Sequence, residues 1–174
     1  RHFLPMPVLK ATVDALAYNK MNVLHWHIVD GDSFPFESKT FPSLTAKGSY
    51  SENHVYTHEA IQDLVKYAHA RGVRVMPEFD TPGHVFPSWC NGATDPDAIA
   101  GEGEGAYPQV CTACTKRHAG DSGWGPLRAD LNTTYDFLEQ LFKEIADVFP
   151  VRSNVLPNTH THTHTHTHTH THTH

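Results

Sequence analysis

The sequence is short of positive charge. Its 13 lysine and arginine residues are outnumbered by 19 aspartate and glutamate residues, which gives a formal net charge of -6 with histidine neutral. Nucleic acids and anionic membrane surfaces both favour clustered cationic side chains, so we expect neither as the main partner. No apolar run approaches the roughly 20 residues that a membrane-spanning helix needs, so no membrane span is expected.

Cysteine is also scarce, and its arrangement excludes a metal site built from thiolates alone. The three cysteines, Cys90, Cys111 and Cys114, lie in one stretch rich in glycine, proline and aspartate. Cys111 and Cys114 have the spacing of a redox pair or of half a zinc site, but no second pair completes such a site. A staple within a loop is the simpler interpretation, and the pairing of the three thiols stays open.

Apolar residues recur at helical spacing in three segments and form two strand-like runs between them. Strands that are apolar on both faces and alternate with helices indicate a parallel sheet covered by helices. Because two strands cannot close a barrel, we expect an α/β fold that is incomplete in this chain. The predicted elements are a helix at 7–20, a strand at 21–30, a helix at 57–72, a strand at 73–80 and a helix at 132–149.

Residues 151–174 differ in kind from residues 1–150. They end in an alternating Thr-His repeat that holds half of the 16 histidines, and such a segment cannot form a core, so a disordered tail is expected. The codons ACACAC encode this repeat, and Val151-Arg152 can be written GTA-AGA, like the start of an intron. We hypothesise that the coding sequence ends near Pro150. Since the chain also begins with Arg1 rather than methionine, we expect an internal piece of a longer protein.

The motif EFDTPGH (78–84) places polar residues at the end of the second predicted strand. By strand parity, Glu78 and Asp80 share a face. The turn Thr81-Pro82-Gly83 is expected to bring His84 back towards Asp80, as a buried pair that acts as a base or supports another catalytic carboxylate. A capped turn with a solvated histidine is the alternative.

The other strand ends in HWHIVDGDSF (25–34). Parity places His25 and His27 on one face and Asp30 on the opposite face. A metal-dependent hydrolase that uses His25, His27, Asp30 and His84 is one hypothesis, although parity argues against it. Core histidines that bond between sheet and helix are the simpler interpretation.

Several of these motifs, taken in order, resemble a β-N-acetylhexosaminidase of glycoside hydrolase family 20. The resemblance covers nearly everything before Val151, so it is far more specific than any single motif. The stretches that carry it are RHFLP (1–5), AYNKMNVLHWHIVDGDSFPFES (17–38), FPSLTAKGSYS (41–51), VYTHEAIQDLVKYAHARGVRVMPEFDTPGH (55–84) and GPLRADLNTTYDFLEQLFKEIADVFP (125–150).

The resemblance implies a partial (β/α)8 TIM barrel, from the end of strand 1 to helix 3, with no cofactor and no metal. It implies hydrolysis of terminal N-acetylglucosamine or N-acetylgalactosamine from glycans or glycoconjugates. Arg1 and Asp30 match substrate-binding positions, and Asp80 and His84 match the pair that supports the catalytic acid. In this family the substrate's own acetamide attacks the anomeric carbon with retention of configuration, an exception to the two-carboxylate rule.

The resemblance also implies what this chain lacks. The acid glutamate and the aspartate that orients the acetamide come from an Asp-Glu motif on the fourth strand, which is expected after Phe149-Pro150 and is replaced by 151–174. We therefore expect little activity from the chain alone, and a non-enzymatic truncated product is a further alternative. Gly31 is a small departure, since it stands where the family often has a second acid.

Two further expectations concern the longer parent protein. The sequon Asn132-Thr133-Thr134 fits N-glycosylation and hence a secretory-pathway location, whether lysosomal, vacuolar or extracellular. A dimeric parent is compatible with the resemblance, and the sequence does not choose between the two hexosamines.

Overall fold

The structure is a computed structural model that describes residues 1–85, 88, 89, 127 and 132–149. The predicted disordered tail at 151–174 lies outside the described residues, as do Cys90, Cys111 and Cys114. The elements in chain order are α1 (Met6–Tyr18), β1 (Val23–Val29), α2 (Pro42–Gly48), α3 (His58–His69), β2 (Arg74–Phe79) and α4 (Asn132–Val148).

Five of the six elements match the predicted order, with boundaries that differ by a few residues. The exception is α2, which lies between the strand predicted at 21–30 and the helix predicted at 57–72, where no element was expected. This helix has only seven residues, with a proline in its first turn, so it is too short to show a helical period in the sequence. Among the described helices, none has both the length and the apolar character needed to cross a bilayer.

Helix α3 shows how local sequence sets the ends of an element. The hydroxyl of Thr57 accepts a hydrogen bond of 3.2 Å from the N–H of Ala60, which caps the helix start. Beyond the helix end, Gly72 adopts a φ of 72°, a left-handed conformation that glycine reaches without strain. Ile61 and Leu64 are fully buried on the inner face of the helix.

The sheet consists of β1 and β2, which pair in parallel. The register runs from Val23 opposite Arg74 to His27 opposite Glu78, and it shifts between His27 and Val29. Because the strands are parallel, their carboxyl ends lie at the same edge of the sheet, where α/β enzymes place their chemistry. The polar residues of both predicted motifs are therefore neighbours.

One face of β1 packs against helices and aromatic side chains. Leu24, Trp26 and Ile28 are buried on this face, and the Trp26 ring meets Tyr56 edge-on with a centroid distance of 4.8 Å. The opposite face carries His25 and is more exposed. The hydrophobic core thus holds β1 from the helical side and leaves the histidine face for polar contacts.

Helix α4 is joined to the segment before α2 through one carboxylate. Glu144 accepts hydrogen bonds from the Ser38 hydroxyl at 2.8 Å, the Lys39 N–H at 2.5 Å and the Thr40 N–H at 3.3 Å. Its side chain also lies 3.4 Å from Nε2 of His58. These bonds fix the last described helix against residues that are about a hundred positions earlier in the chain.

Candidate active site

The first part of the site is at the tip of β1, where Asp30 meets Arg1. Asp30 is buried, with 7% of its surface exposed. Its Oδ1 accepts a hydrogen bond of 2.5 Å from the N–H of Gly31, and its Oδ2 lies 3.4 Å from Nε of Arg1. The Arg1 side chain is mostly exposed, so the guanidinium is available to a ligand while it is paired with the aspartate.

The structure corrects the parity argument for Asp30. That argument placed Asp30 on the face opposite His27, yet Nε2 of His27 lies 3.3 Å from Oδ2 of Asp30. The cause is the register shift between His27 and Val29, since an irregularity in a strand turns the following side chains relative to simple alternation. Asp30 therefore joins the histidine face.

The second part of the site is the pair formed by Asp80 and His84. Nδ1 of His84 lies 2.8 Å from Oδ2 of Asp80, as the motif predicted. His84 has a φ of 54°, in the left-handed region, which turns its side chain back towards the strand end. The pair was expected to be buried, but 59% of the His84 side chain is exposed in the described part of the chain. One side of the imidazole is therefore open.

His27 lies between the two parts. Besides its contact with Asp30, its Nε2 is 3.7 Å from Oε1 of Glu78 and 3.7 Å from Oδ2 of Asp80. Three carboxylates thus face one imidazole. From the sequence, His27 was expected to be either a metal ligand or a core histidine, although the pairing of the two strand ends could have indicated its central place.

His25 lies apart from the ligand set in which the metal hypothesis placed it. It is largely exposed and forms a close contact with Glu78. Among the described residues, two groups have ligand atoms within 4.8 Å of one another: one is His27, Glu78 and Asp80, and the other is Asp30, Asp80 and His84. Neither group includes His25, so the predicted set of four is not one cluster.

Arg1 is held in place through the backbone of its own segment. The amino group of Arg1 donates a hydrogen bond to the carbonyl of His27. The Tyr56 hydroxyl accepts a hydrogen bond of 2.6 Å from the N–H of Leu4 and donates one of 3.0 Å to its carbonyl.

The structure thus brings together all four residues that the sequence nominated for the site. Arg1 contacts Asp30, His84 contacts Asp80, and Asp30, Asp80 and His84 present ligand atoms within 4.8 Å of one another. The combination of one exposed guanidinium, two carboxylates and an open imidazole suits recognition of a polyhydroxylated ligand beside a proton-transfer site. The roles of the individual residues stay predictions.

Comparison with known proteins gives a consistent result. The family model for the catalytic domain of glycosyl hydrolase family 20 matches residues 1–165. The match extends past the predicted boundary at Pro150, which stays a prediction. Human β-hexosaminidase subunit beta is 49% identical over 150 residues, which are 86% of this chain and 24% of that protein. Mouse β-hexosaminidase subunit alpha is 45% identical over 151 residues, 86% of this chain and 26% of that protein.

Solved structures agree with the sequence relatives. The chitobiase of Flavobacterium johnsoniae superimposes with a TM-score of 0.67 at 36% identity, over 86% of this chain and 20% of that one. A mutant Streptomyces plicatus β-hexosaminidase in complex with its product GlcNAc superimposes with a TM-score of 0.66 at 26% identity. The match covers 86% of this chain and 29% of that one. The chain spans about a quarter of the length of the curated relatives it matches, and its α/β fold is the predicted part of a TIM barrel. The chain belongs to glycosyl hydrolase family 20, and its matched residues are part of that family's catalytic domain.

Proposed function

We propose that the protein to which this chain belongs is a β-N-acetylhexosaminidase. It removes terminal N-acetylglucosamine or N-acetylgalactosamine from glycans by substrate-assisted catalysis with retention of configuration. The observation that supports this best is the meeting of Arg1, Asp30, Asp80 and His84 at the common end of two parallel strands, in a chain of this family. No cofactor is part of the proposal.

Each of the four residues has a role that its contacts allow. The guanidinium of Arg1 donates to hydroxyls of the terminal sugar, and the buried carboxylate of Asp30 accepts from hydroxyls while it keeps Arg1 in place. The carboxylate of Asp80 orients His84 through Nδ1, which leaves Nε2 of the imidazole available. His84 then supports the carboxylic acid that protonates the glycosidic oxygen.

The chain by itself should bind sugar without turning it over. General acid catalysis contributes about 10²–10⁴-fold to such reactions, and we nominate no described residue as the acid. We expect no hydrolysis of a chromogenic N-acetylglucosaminide by the purified chain. Turnover that disappears on mutation of Asp80 would contradict this expectation.

Binding of N-acetylglucosamine, followed by NMR titration, tests the proposal directly. Asp30→Asn should weaken binding by about 10–100-fold, because a hydrogen bond to a charged group is lost. Asp32→Asn is the matched control, since Asp32 is an exposed aspartate two positions along the same loop, and it should leave the affinity nearly unchanged. Equal losses in the two variants, or equal affinity for glucose, would refute the assigned pocket.

A metal-dependent hydrolase remains the second candidate, because the cluster has enough nitrogen and oxygen ligands for a cation. A zinc measurement on residues 1–150, which exclude the Thr-His repeat, distinguishes the two functions. One bound zinc that is lost in His27→Gln would favour the metal enzyme. Absence of stoichiometric zinc, together with sugar binding, would favour the glycosidase.

The location and assembly of the parent protein follow from the family proposal. Asn132 is exposed at the start of α4, where a glycan can be attached in the secretory pathway. We therefore propose a lysosomal, vacuolar or extracellular enzyme. A dimeric parent stays a prediction, and sedimentation of the full-length protein tests it.

A further inference from the structure

Two residues on either side of His84 in the sequence, Asp80 and Ser88, are each bonded to the tip of β1. The N–H of Asp80 donates a hydrogen bond of 3.2 Å to the carbonyl of Val29. The hydroxyl of Ser88 donates a hydrogen bond of 2.6 Å to the carbonyl of Asp30. Consecutive carbonyls of one strand tip therefore hold both Asp80, the partner of the site's imidazole, and Ser88.

Ser88 makes a second bond to the same tip and is closely enclosed. Its N–H donates to the carbonyl of Gly31 at 2.9 Å, and only 2% of its surface is exposed. A methyl group added to Gly48 would lie 2.7 Å from the Ser88 carbonyl oxygen, so α2 leaves no space on that side. Because the hydroxyl proton is directed at a carbonyl and not at a base, Ser88 is not an activated nucleophile.

The backbone bonds determine where the Asp30 carboxylate points. The backbone carbonyl of Asp30 also accepts a hydrogen bond of 3.2 Å from the N–H of Ser33. The Oδ1 atom of the Asp30 side chain accepts a hydrogen bond from the N–H of Gly31. Oδ2 is the remaining oxygen, and it faces Arg1 at 3.4 Å and His27 at 3.3 Å. A shift of the Asp30 backbone would therefore move Oδ2 relative to both partners.

We propose that Ser88 is a positioning residue that sets the direction of the Asp30 carboxylate and its spacing from the Asp80–His84 pair. It acts through the Asp30 carbonyl and does not touch the ligand. The effect of Ser88 on sugar binding rests on the proposed function. The effect of Ser88 on the contact between His27 and Asp30 is independent of the proposed function.

The variants are chosen to separate positioning from general stability. Ser88→Ala removes the hydroxyl. Ser88→Cys keeps a side chain of similar size but replaces the hydroxyl with a thiol, which is a weak hydrogen-bond donor. The cysteine variant is used if the alanine variant does not fold. Ser33→Ala is the matched control. Ser33 is a fully buried serine in the stretch that follows β1, and its hydroxyl has no hydrogen-bond partner among the described residues.

The first measurement needs no ligand. In the full chain, Asp30→Asn should displace the NMR signals of the His27 imidazole, because the two side chains are in contact. When Asp30→Asn is introduced into Ser88→Ala or Ser88→Cys, the displacement of the His27 signals should be less than about half of that in the original chain. The comparison is a double-mutant cycle, in which loss of the Ser88 bond reduces the coupling between Asp30 and His27. In Ser33→Ala, the displacement should be unchanged.

The second measurement is the affinity for N-acetylglucosamine. We expect about tenfold weaker binding in Ser88→Cys, since a small displacement of a binding group is costly, and binding within about twofold of the original in Ser33→Ala. An undiminished His27 displacement in folded Ser88 variants overturns the proposal, and so does the absence of any displacement in the original chain. If the chain does not bind the sugar, the proposed function fails, while the imidazole signals still decide the role of Ser88.

Discussion

Nε2 of His27 and Oδ2 of Asp30 are 3.3 Å apart, and neither atom has a hydrogen-bond partner among the described residues. Both atoms are buried. Two buried polar atoms in contact without a formed hydrogen bond leave their bonding capacity unused, and a ligand hydroxyl could satisfy it. The geometry of this pair is therefore one of the features on which the proposed recognition of a sugar depends.

The role of His27 in holding the carboxylates together gives the first prediction. His27→Gln should destabilise the protein by about 1–3 kcal/mol, because it replaces the mostly buried ring that lies among the carboxylates of Asp30, Glu78 and Asp80. Denaturant unfolding measures this change. His25→Gln, at an exposed position on the same face, should cost less than about 0.5 kcal/mol, and a larger effect at His25 than at His27 would contradict the central place of His27.

The close packing of α2 against the site gives the second prediction. In Gly48→Ala the new methyl group would lie 2.6 Å from Cβ of Phe34 and 2.7 Å from the carbonyl oxygen of Ser88. We expect a loss of about 1–3 kcal/mol in unfolding free energy, as for other overpacked sites. Gly83→Ala is the control, since a methyl group there meets nothing within 4 Å. Equal stability of the two variants would show that this contact is relaxed in solution.

The Tyr56 hydroxyl gives the third prediction. Tyr56→Phe leaves both backbone groups of Leu4 without the partner described above, which should cost about 1–3 kcal/mol. Because Leu4 is close to Arg1 in the chain, the variant should also weaken binding of N-acetylglucosamine. Tyr18→Phe, at a position that is 87% exposed, should change neither quantity. Unaltered sugar affinity in a destabilised Tyr56→Phe variant would show that the Arg1 segment does not depend on this hydroxyl.

The contact between α1 and α3 gives a prediction about pH. Hydrogen bonds from Tyr67 and an ion pair with Arg71 hold the pKa of Asp14 below its ordinary value of 3.8. Since this pKa is lower in the folded protein than in the unfolded chain, the carboxylate stabilises the fold above pH 3.8. The contribution is lost as the pH falls through the lowered folded-state pKa.

Thermal unfolding at several pH values checks this prediction. Asp14→Asn should have a lower melting temperature than the original protein at pH 7, and the difference should shrink as the pH falls below 3.8. Asp136→Asn, at an exposed position on α4, should differ little from the original at every pH. A difference that grows towards acid pH would have the wrong sign for a stabilising Asp14 carboxylate.

The sequence predicted the features that depend on local periodicity. The apolar spacing of α3 and the run of β2 depend on residues a few positions apart. The burial of Ile61, Leu64 and Ala68 follows from the spacing of α3, whereas most of β2 is only half-buried in the described part of the chain. The return of His84 to Asp80 was also predictable, because both residues belong to one turn.

Other features depend on relations that a single sequence does not display. The face of the strand predicted for Asp30 was wrong, because the irregularity after His27 arises from pairing with β2. The hydrogen bond that Ser38 donates to Glu144 joins residues about a hundred positions apart. The enclosure of Ser88 by Gly48 depends on the position of α2, a helix that had not been expected. Tertiary contacts decided each of these cases.

The connection between the two strand tips also bears on the order of synthesis. Arg1, Asp30, Asp80 and His84 all belong to the first 84 residues of this chain, which a ribosome produces in some 4–17 seconds at 5–20 residues per second. The direct contacts among these four residues involve only this stretch, and Ser88 follows four residues later. These contacts can therefore form on the nascent polypeptide before α4 has been translated.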